Sequence, residues 1–565
     1  MPEKAHARPE TRAGALCRLG SLLLQQKYKL LSPEATTEIA GRARTGTSCP
    51  PAILVGMGSR DVVVVGAGHN GLVAACYLAG AGLDVVVLEG LDHPGGGSRT
   101  EETVPGFRFD THSVAHNIIN MTTIPAELDL AGAGLEYQEM DPFSIGVHGD
   151  GRRVRFFRSV DATVESIAES SPAEARAYAD FMNKAVPVVR TMLPAVRGEM
   201  SARDVPRRLL AARRALRGGA AGTVRDALGP YDSLLRRSLP TDLTRGPVAA
   251  FAAHAGVGPT LPGGATFAWW QAAYHLFGQW HAKGGAQSLT DALVHRLLSL
   301  GGELRCGARV ARIEAPDGRV AAVVTEVGER FEARAVVTAM HPQVALLELL
   351  DPPLSGPPGA DLAAARRGNV VQAVIHVATD RLPAYPGCAP GDWNGLQSFV
   401  DRLDDLTAAW TASEAGLLPD VLPLYAFTTS AIDPTLAPTG CHTVYLACPA
   451  APARVEGGWP ARTDEFVERA LELVEGRAPG FRSSIRGISV RTPDVMEREG
   501  WLGAHPMHLE LSLDQLGPLR PTRHLSGHRT PVEGLYVSGA GTNPTGGIAG
   551  TPGRRAAKAL LADRS

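Results

Sequence analysis

A glycine-rich turn near the start of the chain has residue types that bind phosphate. Gly66-x-Gly68-x-x-Gly71 lies between a valine run and a stretch of small helix-forming residues. The first glycine of such a turn permits the sharp bend, the second lets the backbone approach a pyrophosphate, and the third lets the helix pack close to the strand. The N-terminus of the helix adds free N–H groups and a positive dipole end. We therefore expect a dinucleotide to bind at Gly66, Ala67, Gly68, Asn70 and Gly71.

An acidic residue follows at the spacing typical of ribose recognition. Glu89 ends the second apolar run, 23 residues after Gly66, and a carboxylate at this position accepts hydrogen bonds from ribose hydroxyls. The alternative is a glycine turn that binds no ligand. The strand, helix, second strand and acid that surround the turn favour a binding site.

Two more glycine-rich segments belong to the same prediction. One is Pro94–Thr100, with the sequence PGGGSRT, and the other is Gly539–Gly550, with the sequence GAGTNPTGGIAG. The second segment follows a predicted strand and precedes a predicted helix. Its backbone N–H groups are therefore suited to stabilise negative charge on a reduced ring system.

The pattern of apolar residues predicts the elements that must position these segments. Valine runs without polar alternation are typical of strands buried on both faces, as in a parallel sheet. A helix is expected to begin at Ser288 as its N-cap and to end at Gly301. The other clear elements are strands at 61–65, 84–89, 335–339 and 534–538, a hairpin of 304–313 and 319–325, and helices at 72–81, 463–475, 551–561 and within 160–245.

Composition excludes several classes of function. The formal net charge is −2, which gives no electrostatic reason to expect nucleic acid as a partner. The seven cysteines include no C-x-x-C pair, so neither a metal site nor a disulfide framework is expected, and a reducing cytoplasmic setting is predicted. No apolar run is long enough for a membrane span, so membrane contact would be peripheral. No zinc-protease, serine-hydrolase or P-loop motif is present.

Taken together, the motifs resemble those of phytoene-desaturase-like FAD-dependent oxidoreductases and, more widely, of amine-oxidase-like flavoproteins. The resemblance rests on motifs that occur in the same order along the chain. These are Glu89, Gly95-Gly96, Arg99-Thr100 and the closing glycine loop. Between them lie four weaker matches, at Gly284-Gly285, Arg309-Val310, 339–342 and 511–516. The resemblance implies FAD as the cofactor and backbone contact of Val310 with the adenine. It adds these cofactor-binding residues to the prediction: Gly95, Gly96, Arg99, Thr100, Val310, Gly539, Ala540, Gly541, Gly547 and Gly550.

The resemblance also implies an α/β architecture of two interleaved domains. A Rossmann-like FAD-binding domain would be assembled from 57–155, 282–345 and 525–565. A mixed α+β substrate domain would take 346–524, with 156–281 as its helical cap. Residues 1–56 are predicted to be a disordered extension.

The expected reaction is removal of hydride from a C–H bond of an apolar or conjugated, isoprenoid-like substrate, which forms a double bond. An aromatic stretch at 266–281 is a candidate pocket lining, with core packing as the alternative. No second dinucleotide motif for nicotinamide is present, so electrons are expected to pass to O2 or a quinone. An amine oxidase, a non-redox polyene isomerase and a prenyl-binding protein without working flavin remain alternatives.

Histidines are the remaining candidates for chemistry. His112, His281, His505 and His508 lie close in sequence to the predicted motifs, although a histidine is more often structural than functional. The sequence therefore identifies no catalytic residue.

Overall fold

The computed structural model describes residues 59–199 and 220–564. The predicted extension, 1–56, lies outside these residues. The strands in chain order are β1 Arg60–Val65, β2 Val85–Leu88, β3 Thr100–Val104, β4 Phe107–Asp110, β5 Tyr137–Glu139, β6 Ser144–Val147, β7 Arg153–Phe156, β8 Trp280–Ala282, β9 Glu303–Arg305, β10 Val310–Glu314, β11 Ala322–Thr325, β12 Arg330–Thr338, β13 Leu350–Asp351, β14 Val370–Thr379, β15 Leu396–Ser398, β16 Tyr425–Phe427, β17 His442–Pro452, β18 Ile485–Arg491 and β19 Leu535–Val537.

Helices occupy many of the segments between the strands, and they pack on both sheets. In chain order they are α1 His69–Gly80, α2 Asn117–Asn120, α3 Ile124–Glu127, α4 Val160–Ser170, α5 Pro172–Val196, α6 Ala220–Leu228, α7 Tyr231–Ser238, α8 Asp242–Ala253, α9 Ala265–Trp269, α10 Gln271–Phe277, α11 Gln287–Ser299, α12 Gly356–Ala363, α13 Leu403–Glu414, α14 Trp459–Arg477, α15 Phe481–Ser484, α16 Pro493–Arg498 and α17 Thr551–Arg564.

The first sheet is built around a parallel centre. Its strand order is β13-β10-β11-β12-β1-β2-β9, and β19 also pairs with β12. β1 pairs in parallel with β2 and β12, and β12 pairs in parallel with β19. The sheet therefore joins three distant parts of the chain, and the predicted Rossmann-like, interleaved fold class is confirmed.

The valine run of β1 is buried on both faces of this sheet. Val62 and Val64 pack on the side of α1, α11 and α17, whereas Val63 and Val65 pack on the side of β10 and β13. Alternate side chains of a strand point to opposite faces, so a strand covered on both sides has no polar position. This explains why the sequence shows an uninterrupted apolar run.

A second sheet, with mostly antiparallel pairing, forms the other half of the molecule. Its strand order is β18-β14-β17-β16-β15-β6-β7. β6 and β7 belong to this sheet and pair with β15 and with each other. The predicted boundary at residue 155 therefore falls inside a strand of the second sheet. The sequence of two such short strands does not indicate which sheet they pair with.

Two local expectations differ from the structure, and one feature was not predicted. The N-cap of α11 is Ala286, and the Ser288 hydroxyl instead donates to the Lys283 carbonyl oxygen over 2.7 Å. Leu304 belongs to β9 in the parallel part of the first sheet, so the hairpin is restricted to β10 and β11. The long strands β14 and β17 were not predicted, because that region is rich in proline and its strands are separated by irregular segments.

No helix within 59–199 and 220–564 combines the length and the apolarity that a membrane crossing requires.

Candidate functional site

The first glycine turn is held by contacts that only glycine allows. Gly66 follows β1 with a φ of +100°, in the left-handed region that favours glycine. A Cβ added at Gly71 would lie 2.0 Å from the carbonyl oxygen of Gly66. The third glycine is therefore required for the first turn of α1 to pack against the end of β1.

The Glu89 carboxylate is fixed beside this turn. One of its oxygens accepts a hydrogen bond from the backbone N–H of Ala67 over 2.8 Å, and the other accepts from Leu91 over 3.0 Å. The carbonyl oxygen of Glu89 accepts from Ala308 over 2.8 Å. These bonds bring the acid to the segment that leads into Val310, so the predicted ribose-binding and adenine-binding residues are neighbours.

The second glycine loop lies directly against the first. The Gly95 N–H donates to the Ala67 carbonyl oxygen over 3.0 Å. Gly96 has a φ of +56°, and a Cβ there would lie 3.1 Å from the Cα of Gly68. Two glycines thus allow the two backbones to approach each other and leave a surface without side chains.

Arg99 and Thr100 contact protein groups. Arg99 lies 3.1 Å from the Nε2 of His93 and 3.5 Å from Glu101. The Thr100 hydroxyl donates to Asp110 over 2.6 Å and accepts from the Gln287 N–H over 3.0 Å. The contacts of Thr100 hold the start of α11 against β3 and β4, and its cofactor contact stays a prediction.

The C-terminal glycine loop returns to the first turn. A Cβ at Gly553 would lie 2.1 Å from the carbonyl oxygen of Asn70, so the start of α17 packs closely on the start of α1. The Nε2 of His69 lies 3.1 Å from the Gly547 carbonyl oxygen. Three segments distant in sequence therefore meet at the N-terminus of α1.

A cavity of about 600 Å³ lies where these loops face the second sheet. It brings together six of the predicted cofactor-binding residues, namely Gly68, Asn70, Gly96, Gly539, Ala540 and Gly547. The other predicted residues do not line it; they are Gly66, Ala67, Gly71, Glu89, Gly95, Arg99, Thr100, Val310, Gly541 and Gly550. The cavity thus covers one end of the predicted site, and the Glu89 and Val310 end lies beyond it.

The opposite wall of the cavity is apolar and aromatic. Trp270 and Tyr274 line it, whereas Trp269 is packed in the core. Part of the aromatic stretch therefore lines the cavity, and part of it belongs to the hydrophobic core. Trp501 also lines the cavity, and a Cβ at Gly97 would lie 3.3 Å from its ring. No aspartate, glutamate, lysine or arginine of the described residues lines this cavity.

Histidines are the basic side chains that the cavity offers. Its lining includes His112 and His508, which the sequence singled out, and also His69 and His254. Burial lowers the pKa of His69 to about 4 and lowers the pKa of His112 and His508 well below the ordinary value. These imidazoles are therefore neutral at physiological pH and able to accept hydrogen bonds or a proton.

Two other predicted histidines lie outside the cavity lining. Burial lowers the pKa of His505 to about 3. His281 lies 3.2 Å from the Asp433 carboxylate, and both side chains are fully buried. Asp433 also accepts from the Gly284 N–H over 2.6 Å, so this pair holds the turn before α11.

Sequence reasoning missed several residues that line the cavity. His69 lies inside the glycine motif itself, and the others, His254, Gln372, Tyr425 and Trp501, lie outside every predicted motif. Gln372 is a polar residue inside an apolar strand, which is the one signal in the sequence that could have identified a residue of this group.

The loops fit a flavin dinucleotide. Gly68 and Gly96 form a cradle that a side chain would fill, and the side-chain oxygen of Asn70 is buried with no hydrogen-bond partner in the structure. Buried polar atoms are almost always paired in native proteins, so this oxygen marks a place where a ligand atom is expected.

Comparisons with known proteins agree with this geometry. The family model for flavin containing amine oxidoreductases matches residues 71–561. "Pyridine nucleotide-disulfide oxidoreductase domain-containing protein 2" of Rattus norvegicus is 30% identical over 575 residues, which cover 92% of this chain and 98% of that protein. Phytoene dehydrogenase of Streptomyces griseus is 27% identical over 86% of this chain and 92% of that protein.

A solved structure shows the same fold. The crystal structure of an oxidoreductase from Methanosarcina mazei aligns with a TM-score of 0.58 at 17% identity, over 89% of this chain and 100% of that one. The family match confirms FAD as the cofactor and an oxidoreductase activity. The chain belongs to the flavin-containing amine oxidoreductase family.

Proposed function

We propose that this protein removes hydrogen from a neutral, largely apolar substrate of the isoprenoid or polyene kind and forms a carbon–carbon double bond. The observation that carries the proposal is the cavity of about 600 Å³, which the described part of the chain lines without a single carboxylate, ammonium or guanidinium group. Such a cavity favours apolar molecules, because charged groups lose their hydration inside it without gaining a partner.

Different residues of the site would bind the cofactor, orient the substrate and accept a proton. FAD, when bound, supplies the two-electron acceptor for a hydride from a substrate C–H bond. Gly68, Gly96 and the start of α1 would hold its pyrophosphate, and Glu89 its ribose. Trp270 and Trp501 would orient an apolar chain and exclude water. The neutral histidines of the lining would accept the proton that leaves with the hydride.

Oxidation of an amine is the competing function, because the family includes amine oxidoreductases. An amine arrives in water as a cation, and an acidic side chain would aid its binding. The described lining has neither such an acid nor a lysine that could act beside the flavin. This chemistry, and the 27% identity with a phytoene dehydrogenase, support the desaturase proposal.

An anaerobic flavin spectrum tests the proposal. The purified protein is titrated with phytoene, geranylgeraniol and putrescine, and the oxidised flavin band is followed. We expect bleaching by an isoprenoid and none by putrescine. Ala115→Phe, which fills the cavity, is expected to retain the flavin band and to lose bleaching, whereas Ala131→Phe, at an exposed position, serves as the matched control.

The other outcomes each contradict the proposal. Bleaching by putrescine would establish amine oxidation. Conversion of an isoprenoid to an isomer, without net reduction of the flavin, would establish the non-redox isomerase. Purified protein that carries no flavin would remove the basis of the proposal.

A further inference from the structure

Three polar residues are joined to one another on the wall of the cavity that faces the glycine loops. The side-chain N–H groups of Gln372 donate to the Tyr425 hydroxyl over 2.8 Å and to the His254 carbonyl oxygen over 3.1 Å. The His254 and Tyr425 rings meet edge to face, with 6.2 Å between their centroids. We call His254, Gln372 and Tyr425 the polar triad, and all three line the cavity.

The alternation of side chains along β14 places Gln372 on the cavity side of the second sheet. Val374, two residues further on, packs in the same cluster as the cavity-lining Tyr425 and Phe427, whereas Ala373 packs on the opposite face. Because alternate side chains of a strand point to opposite faces, Gln372 shares the face of Val374. The pairing of β14 with β17 is irregular at this point, between Val371 and Ala373.

Each member of the triad retains hydrogen-bonding capacity. The Nδ1 of His254 lies 2.5 Å from the Phe251 carbonyl oxygen, which leaves Nε2 as an acceptor. The side-chain oxygen of Gln372 accepts no hydrogen bond from the described residues, and the Tyr425 hydroxyl accepts one there but donates none. Burial raises the pKa of Tyr425 well above its ordinary value, so its hydroxyl keeps its proton.

We propose that the polar triad binds an uncharged hydrogen-bonding group, such as a hydroxyl or a carbonyl, carried by the otherwise apolar substrate. This inference rests on the proposed function and narrows its substrate class. One donor, the Tyr425 hydroxyl, and two acceptors, on Gln372 and His254, converge in a cavity whose described lining holds no charged side chain. A site built to hydrogen-bond its ligand discriminates strongly against an analogue that lacks the group, because the protein's polar atoms then stay unpaired.

The same contacts exclude a charged group at this position. A carboxylate or an ammonium would be buried beside neutral partners only, and hydrogen bonds to neutral groups do not offset the loss of hydration of a full charge. The triad is therefore suited to a dipole and unsuited to an ion.

Ligand binding to the FAD-loaded protein tests the proposal. Quenching of tryptophan fluorescence reports occupancy, because Trp270 and Trp501 line the cavity. The probes are geranylgeraniol, the hydrocarbon that lacks its hydroxyl, and the corresponding amine and carboxylic acid. We expect the alcohol to bind at least about tenfold more tightly than each of the other three.

Variants separate recognition from a structural role. Tyr425→Phe and Gln372→Leu are expected to weaken binding of the alcohol by about tenfold and to leave binding of the hydrocarbon unchanged. Tyr385→Phe is the matched control, because Tyr385 is buried outside the cavity lining and its hydroxyl has no partner in the structure. It is expected to bind all four probes as the unmodified protein does.

Equal affinity for alcohol and hydrocarbon would overturn the inference. So would variants that weaken both ligands equally, which is the result expected if the triad only joins α8 to the second sheet. Failure of the proposed function is recognised separately. In that case the alcohol would still bind preferentially through the triad, but no isoprenoid would bleach the flavin.

Discussion

At the scale of single residues, the glycines of the first turn are required for different reasons. Gly66 needs its positive φ, and Gly71 needs the absence of a Cβ, because its neighbour is a backbone oxygen that cannot move aside. Gly80, at the end of the same helix, meets nothing closer than a leucine methyl group at 3.8 Å. Gly71 therefore meets a strict steric requirement that Gly80 does not.

Gly71→Ala is predicted to lose FAD and to lower the melting temperature. The added Cβ would lie 2.0 Å from the Gly66 carbonyl oxygen, which forces the turn away from its phosphate-binding shape. The flavin-to-protein absorbance ratio and thermal unfolding measure both effects. Gly80→Ala is the control and is expected to raise helix stability by up to about 1 kcal/mol. A Gly71→Ala protein with full flavin content would contradict this interpretation of the motif.

At the scale of elements, the short strand β8 is joined to the turn after β16 by the buried pair of His281 and Asp433. The contact with Asp433 raises the pKa of His281 against the opposing effect of burial, and the hydrogen bond from His281 lowers the pKa of Asp433 to about 2. The contact therefore favours the imidazolium form of His281 and the carboxylate form of Asp433. Two residues along the chain, Lys283 pairs with Glu136 over 3.0 Å at the surface.

Asp433→Ala is predicted to destabilise the protein by about 3–5 kcal/mol, because it leaves the buried His281 side chain and the Gly284 N–H without their acceptor. Glu136→Ala removes the exposed pair and is expected to change stability by less than about 1 kcal/mol. Denaturant unfolding of both variants measures the difference. Equal effects would show that the buried pair is not a connection between these elements.

At the scale of the whole molecule, many histidines are buried in their neutral form. Burial lowers the pKa of His69, His275, His341 and His528 to about 4 in each case. The unfolded chain takes up these protons near pH 6.5, whereas the folded chain resists them until about pH 4. Their contribution to stability is therefore full above pH 6.5 and is lost as the pH falls toward 4.

Stability is predicted to fall steeply between pH 6.5 and pH 4, by up to about 1.4 kcal/mol per pH unit for each such histidine. The pKa of His281 is raised, so its stabilising contribution changes only above about pH 6.5 and is already fully present between pH 6.5 and pH 4. Denaturant midpoints measured across this range test the prediction. Replacement of His528, which is buried outside the cavity lining, by glutamine should reduce the slope, and an unchanged slope would contradict the assignment.

The sequence alone determined the part of the fold that contains the predicted phosphate-binding turn. The valine run, the glycine turn, α1 and Glu89 are consecutive in the chain, and their geometry depends on local steric rules that residue types make visible. The same holds for the glycine loop that precedes α17. For this reason the fold class and the cofactor could be predicted from Gly66, Gly68, Gly71, Glu89 and their neighbours.

Only the tertiary structure decided what faces the flavin end of the site. Gln372 and Tyr425 lie on two strands of the second sheet, and His254 directly follows α8. They meet only because β14 and β16 both pair with β17 and because the end of α8 packs against this sheet. The residue types of His254 and Tyr425 are ordinary for buried positions, and only Gln372, a polar residue in an otherwise apolar strand, gives a signal in the sequence. Non-local packing sets the shape and polarity of the cavity, and with them the substrate, whereas local backbone geometry sets the cofactor site.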